Sequence, residues 1–206
     1  MTLIKICGIT NKADAVAAAG LGVEMIGFVF YPKSKRFVDP AVARDIAGEL
    51  PGGVVKVGVF VDEDAARVRA IAEEAGLDAL QFHGNETPEY CAPFRTDYRV
   101  IKAFRLSDRR DLKPINGYWT DYYLLDAYRP DSIGGTGEAF DWKILKDFEI
   151  LKPVILSGGL KPSNVGAALE EVVPYGVDVS SGVERSPGKK DAEAMKIFVE
   201  KVRRTG

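Results

Sequence analysis

Leu3-Ile4-Lys5-Ile6-Cys7-Gly8-Ile9-Thr10 is the stretch that decides the fold. A β-branched run ends in a thiol, and glycine follows at once, where the backbone must turn. An open, doubly wound sheet that binds dinucleotides usually carries Gly-x-Gly-x-x-Gly after its first strand, whereas this turn reads Cys7-Gly8-Ile9-Thr10. The run is the first of a series. Met25 to Phe30, Val55 to Val61, Ala79 to His83, Val100 to Phe104, Tyr122 to Asp126, Val154 to Ser157 and Val177 to Ser180 repeat its character. Their mean spacing of about 25 residues leaves room for one strand and one short helix each time. Eight such units in 206 residues predict an α/β chain folded as a single-domain (β/α)8 TIM barrel over residues 1–206, near the lower size limit of that fold.

The stretches between the runs read as helices. Asn11 to Ala19 and Pro40 to Leu50 have helical composition, and Asp62 can cap a helix running through Ala75 to stop at Gly76. Pro162 and Ser163 open a segment that reaches Val172. The last helix is expected from about Lys190 to Arg204, beginning beside Asp191 and ending in Lys201, Arg203 and Arg204, which suits the helix dipole. No low-complexity linker or composition shift marks a domain boundary, and the glycine-rich patches at 52–53 and 134–137 fall between repeats.

Composition narrows the function classes. With 28 basic against 30 acidic residues, whole-chain electrostatics argues against a nucleic-acid or membrane-surface partner. Cys7 and Cys91 lie far apart, without the spacing of a disulfide framework or a zinc site, so no metal is expected and a reducing, cytoplasmic setting is. No segment approaches the roughly 20 apolar residues that span a bilayer. The outer helices carry no pattern that separates a monomer from a homodimer.

Strand alternation then selects candidate site residues. In a barrel, alternate residues face inward and active sites form at the C-terminal strand ends. If Cys7 points inward, so do Lys5 and Leu3. An inward lysine needs a partner, and strand eight, the neighbour of strand one in a closed barrel, offers Asp178. A Lys5 to Asp178 ion pair is therefore expected beneath Cys7, with the cation close enough to favour thiolate. The turns after strands seven and eight, Ser157-Gly158-Gly159-Leu160 and Ser181-Gly182-Val183, fall where this fold commonly binds phosphate. Neither matches a nucleoside-triphosphate loop.

Three more strand ends carry chemistry. Tyr31-Pro32-Lys33-Ser34-Lys35-Arg36 places three cations on one rim loop, either as solvated surface or to recognise a second anion, for which the planar fork of Arg36 is best suited. Asp126 ends strand six, where it either caps a loop or serves as an acid beside a thiolate. His83, the only histidine, ends strand four and reads as a stacking surface or a satisfied rim residue ahead of an acid-base group.

Taken together, Lys5-Ile6-Cys7-Gly8-Ile9-Thr10, Gly27-Phe28-Val29-Phe30 with Ser34-Lys35-Arg36, Gln81-Phe82-His83-Gly84, Leu125-Asp126, Leu156-Ser157-Gly158-Gly159-Leu160 and Val177-Asp178-Val179-Ser180-Ser181-Gly182-Val183-Glu184 resemble the phosphoribosylanthranilate isomerase family of tryptophan biosynthesis. The matches run from strand one to strand eight. Phe82 departs from the leucine that the family often has, and Ala127 to Ile133 is variable in the family. The resemblance implies a cofactor-free Amadori rearrangement of a small phosphorylated substrate, with Asp126 as general acid and Cys7 as general base. It further implies that Arg36 holds the anthranilate carboxylate and that Gly158, Gly159, Ser181 and Gly182 cradle phosphate, while His83 and Asp178 also face the substrate. Two other readings compete. Barrels acting on histidine-pathway aminoaldoses share the phosphate loops but usually carry a carboxylate where this chain has Cys7, and a non-catalytic phosphate sensor would not need both Cys7 and Asp126. The loop containing Gly134 to Gly137 follows the Asp126 strand and is placed to close over substrate.

Overall fold

Each predicted run forms a strand in the computed structural model, which describes residues 1–127, 145 and 148–206. The strands are β1 Leu3–Cys7, β2 Met25–Val29, β3 Val55–Phe60, β4 Ala79–Phe82, β5 Arg99–Leu106, β6 Tyr122–Ala127, β7 Val154–Ser157 and β8 Gly176–Val179. All pair in parallel in sequence order, and β8 returns to β1 to close the barrel. The Gly134 to Gly137 loop lies outside the described residues.

Two apolar layers follow from the alternation. Met25, Val57, Ala79, Ile101, Leu124 and Ile155 fill the barrel interior. The intervening residues, including Ile4, Ile6, Phe28, Leu80 and Val177, face outward and pack beneath the helices. Phe82 belongs to this outer layer, packed against Phe60, Phe94 and Tyr90, so the departure from leucine lies on the side of the strand away from the barrel interior. Closure leaves the eight-stranded barrel without a sheet edge, and most residues on both faces of its strands are buried, as expected for a parallel sheet.

The helices are α1 Lys12–Gly20, α2 Pro40–Ala47, α3 Ala65–Glu74, α4 Pro88–Cys91, α5 Val165–Val172 and α6 Ala192–Thr205. Asn11, Asp39 and Asp191 accept hydrogen bonds from backbone N–H groups in the first turns of α1, α2 and α6. Three expected boundaries shift. Asp64, not Asp62, caps α3 by accepting from Ala66 and Arg67, whereas Asp62 sits in the loop at φ 49° and accepts from the Asn85 N–H. Asn164, not Pro162, immediately precedes α5. Lys190 is not helical: it belongs to β10 Lys189–Lys190, which pairs antiparallel with β9 Glu184–Ser186. Between β5 and β6 the connection is made by the short 3-10 turns Arg109–Leu112 and Ile115–Gly117.

Candidate active site

Lys5 and Asp178 are register partners across the β1–β8 seam, and Lys5 Nζ lies 2.8 Å from Asp178 Oδ1. Ser157 Oγ donates to the other carboxylate oxygen at 3.0 Å, so the buried acid is held from β1 and β7 together. The expected pair therefore exists, in the barrel interior below Cys7. Gly27 is the register partner of Cys7, and a Cβ there would come 2.8 Å from the Cys7 Sγ and 3.1 Å from the Lys5 Nζ. Glycine is what lets the thiol and the ammonium share that space.

Their electrostatics are opposed. Burial works against the Lys5 ammonium, but Asp178 and Cys7 outweigh it and raise its pKa above the ordinary lysine value. For Cys7, burial pushes the thiol up, Lys5 pulls it down and Asp178 adds to the upward shift. The net shift is upward, which corrects the expectation that Lys5 tips the balance to thiolate. The cation acts in the expected direction, yet loss of hydration around a buried thiolate outweighs it.

Above this pair a cavity of about 370 Å³ opens at the C-terminal strand ends. Cys7, Arg36, His83, Asp126, Gly158, Gly159, Asp178 and Ser181 all line it. Gly158 and Gly159 take positive φ values of 86° and 68°, a path that side chains disfavour and that turns the backbone at the cavity edge. Gly182 is not among the lining residues. A Cβ there would collide with the Leu160 carbonyl, so this glycine instead allows the two phosphate-type loops to touch. Cys7, Val29 and Val59, with Tyr31 packed on them, form an apolar wall beside the thiol.

Arg36 differs from the two lysines of the rim loop. Lys33 and Lys35 are exposed, whereas Arg36 is half-buried and held bidentately by Glu184, with Nε 2.9 Å from Oε1 and Nη2 2.7 Å from Oε2. Its remaining nitrogen, Nη1, has no partner among the described residues. Burial works against the Glu184 carboxylate, but hydrogen bonds from Arg36 and Lys190 outweigh it and keep its pKa below the ordinary glutamate value.

His83 is hydrogen-bonded at both ring nitrogens, and one of its partners is Asp126. Its Nε2 lies 3.1 Å from Asp126 Oδ2, and its Nδ1 lies 2.8 Å from the Gln81 amide nitrogen. With that amide donating to Nδ1, the ring proton sits on Nε2 and is donated to Asp126. Among the described residues, Gln81 Oε1 and Ser180 Oγ are buried without a hydrogen-bond partner, and both residues line the cavity. Buried polar atoms are seldom left unpaired outside functional sites.

Four contributors escaped the sequence reading of roles: Gln81, Arg105, Glu184 and Lys190. Gln81 shares the inward register of His83, which alternation could have flagged. Arg105, on the exit of β5, lines the cavity. Lys190 resembled an exposed helix start, and only its pairing in β10 reveals its burial.

Comparison with known proteins shows the family. Residues 4–201 match the family model for N-(5'phosphoribosyl)anthranilate (PRA) isomerase. The N-(5'-phosphoribosyl)anthranilate isomerase of Geobacter sp. (strain M21) is 48% identical over 199 residues, spanning 97% of each chain. The crystal structure of phosphoribosyl anthranilate isomerase from Thermotoga maritima superposes with a TM-score of 0.90 at 42% identity, covering 98% of this chain and 99% of that one. A phosphoribosyl anthranilate isomerase solved with reduced 1-(o-carboxyphenylamino)-1-deoxyribulose 5-phosphate is also similar, with a TM-score of 0.86 at 40% identity and coverage of 98% and 99%. The chain belongs to the N-(5'-phosphoribosyl)anthranilate isomerase family.

Proposed function

We propose that Asp126 and Cys7 act as general acid and general base in converting N-(5'-phosphoribosyl)anthranilate to 1-(2-carboxyphenylamino)-1-deoxyribulose 5-phosphate. The chain is an isomerase of tryptophan biosynthesis, and the net reaction moves hydrogen within one molecule. Asp126 gives its proton to the ribose ring oxygen as the bond from that oxygen to C1 breaks, and the anthranilate nitrogen lone pair forms a Schiff base. Cys7 takes the proton from C2, the electrons of that bond form a C1–C2 double bond, and the imine electrons return to nitrogen. The resulting enolamine tautomerises to the ketose, with a proton leaving the C2 hydroxyl and one arriving at C1. Atoms and electrons balance without an oxidant or reductant, and the two groups return to their starting forms through solvent exchange.

Binding groups hold the substrate between this acid and base. The Arg36 Nη1 is open to a carboxylate while Glu184 steadies the rest of the guanidinium. Backbone at Gly158, Gly159 and Ser181 receives the phosphate, and Gly182, which does not line the cavity, lets the second loop pack against the first. His83 donates to Asp126 and Asp178 keeps Lys5 charged beneath the thiol, so both contact or support the substrate from the cavity wall. Residues 1–206 act as one barrel domain on a small phosphorylated molecule, as a monomer or homodimer in the cytoplasm. No helix among the described residues is long and apolar enough to cross a membrane.

The observation that carries this reading is the meeting of Cys7, Asp126, Arg36 and the Gly158-Gly159 turn in one cavity. Loss of phosphoribosylanthranilate fluorescence on adding the purified chain tests it. Steady turnover without added metal or cofactor is expected, and an unchanged signal would refute the reading.

A further inference from the structure

Lys190 has no part in the reaction described above, yet it is among the most completely buried side chains of the molecule. Its Nζ lies 2.5 Å from the Cys7 carbonyl oxygen, 2.8 Å from Glu184 Oε1 and 3.2 Å from the Ser180 carbonyl oxygen. Three acceptors match the three hydrogens of an ammonium. Its backbone is fixed too, because the Lys190 N–H donates to Asp14 Oδ2 at 2.8 Å. Glu184, with 4% of its side chain exposed, shares Oε1 between Lys190 and the Arg36 Nε. One buried cation thus touches the backbone of the thiol residue and, through one carboxylate, the arginine that packs against the neighbouring Gly8.

We propose that Lys190 is a positioning residue that sets Cys7 and Arg36 relative to each other. The inference rests on the proposed reaction, in which Arg36 holds the anthranilate carboxylate and Cys7 removes a proton at C2. Between those two points the substrate is a rigid aromatic ring, a nitrogen and two carbons, so the separation of the anchors must match it. Misplacement by about 1 Å can cost on the order of 100-fold in rate. Burying an ammonium is itself expensive unless every proton is partnered, and here every proton is.

Steady-state kinetics on the full chain with phosphoribosylanthranilate tests this. Lys190→Met frees both arms, so kcat falls about 100-fold and KM rises about tenfold. Glu184→Gln keeps an amide oxygen that can accept from Lys190 but loses the bidentate carboxylate that grips Arg36, so KM rises about tenfold with kcat within about threefold. In an Arg36→Met background, Lys190→Met lowers kcat again but leaves KM where Arg36→Met put it. Should Lys190→Met fail to fold, Lys190→Arg keeps a charge for Glu184 but loses the meeting of three acceptors at one nitrogen. It is expected to lower kcat about tenfold with near-normal KM. Unchanged kcat in Lys190→Met or Lys190→Arg, or a fall in kcat as large as the rise in KM in Glu184→Gln, overturns the proposal. Absence of turnover in the unsubstituted chain instead removes the underlying reaction, and this proposal with it.

Discussion

Lys5 Nζ sits 2.8 Å from Asp178 Oδ1 across the seam that closes the barrel, directly under the thiol of Cys7. Among the described residues no other carboxylate pairs with Lys5 and no other cation pairs with Asp178, so removing one strands the other. Lys5→Met is expected to destabilise the fold by about 3–5 kcal/mol, the range for breaking a buried pair. Chemical denaturation checks this through the midpoint at constant slope. Replacing both partners together, as Lys5→Met with Asp178→Leu, should recover much of the loss, and a double variant as unstable as the single one would contradict the pairing argument.

The Cys7 thiol is pushed above the ordinary value of about 8.5 by burial, with Lys5 pulling against that shift. Proton abstraction needs the thiolate, so kcat/KM for the free enzyme should climb as pH rises through the alkaline range. Stability moves the opposite way. The folded state holds this proton more tightly than the unfolded chain, so its contribution is full below the ordinary thiol value and declines as pH rises toward the folded-state value. A pH profile of kcat/KM that is flat from neutral to alkaline pH would argue against Cys7 as the ionising base.

Arg36→Met should raise KM by about 10- to 100-fold with a smaller change in kcat, as expected for losing a charge-assisted contact of about 1.5–3 kcal/mol to a non-reacting part of the substrate. The same variant should bind inorganic phosphate as the parent does, because the phosphate loops are separate from the rim. Competition by phosphate, measured as an inhibition constant, distinguishes a carboxylate contact from general damage to the cavity.

Cys91 supplies an internal control. It ends α4, is fully buried, and burial pushes its thiol up to about 12, which leaves it inert. Cys91→Ala should keep kcat and KM and lower stability by about 1 kcal/mol through a small cavity. A loss of activity at constant fold would mean that the Cys7 assignment is incomplete.

Legibility in the sequence followed the physics of each feature. Strand runs were readable because a parallel barrel buries both strand faces, and alternation from Cys7 correctly placed Lys5 inward opposite Asp178. Boundaries were less readable where two acids compete for one cap, as with Asp62 and Asp64, since only the backbone path decides which carboxylate meets the free N–H groups. The balance at Cys7 was hidden for another reason. Spacing reveals that a cation is near, but not how completely the thiol is removed from water. Lys190 was least visible, because its burial depends on β10 folding back onto β9 near the carbonyls of Cys7 and Ser180, contacts separated by 183 and 10 residues.

The central claim is that Cys7 and Asp126 exchange the substrate's protons within a cavity that binds it by other groups. Turnover and product-analogue binding, measured side by side for Cys7→Ser and Asp126→Asn, test it most directly. Both variants are predicted to bind reduced 1-(o-carboxyphenylamino)-1-deoxyribulose 5-phosphate within about threefold of the parent while kcat falls by at least about 100-fold, the lower end of acid-base contributions. Near-normal kcat in either variant, with the analogue still bound, would contradict the account.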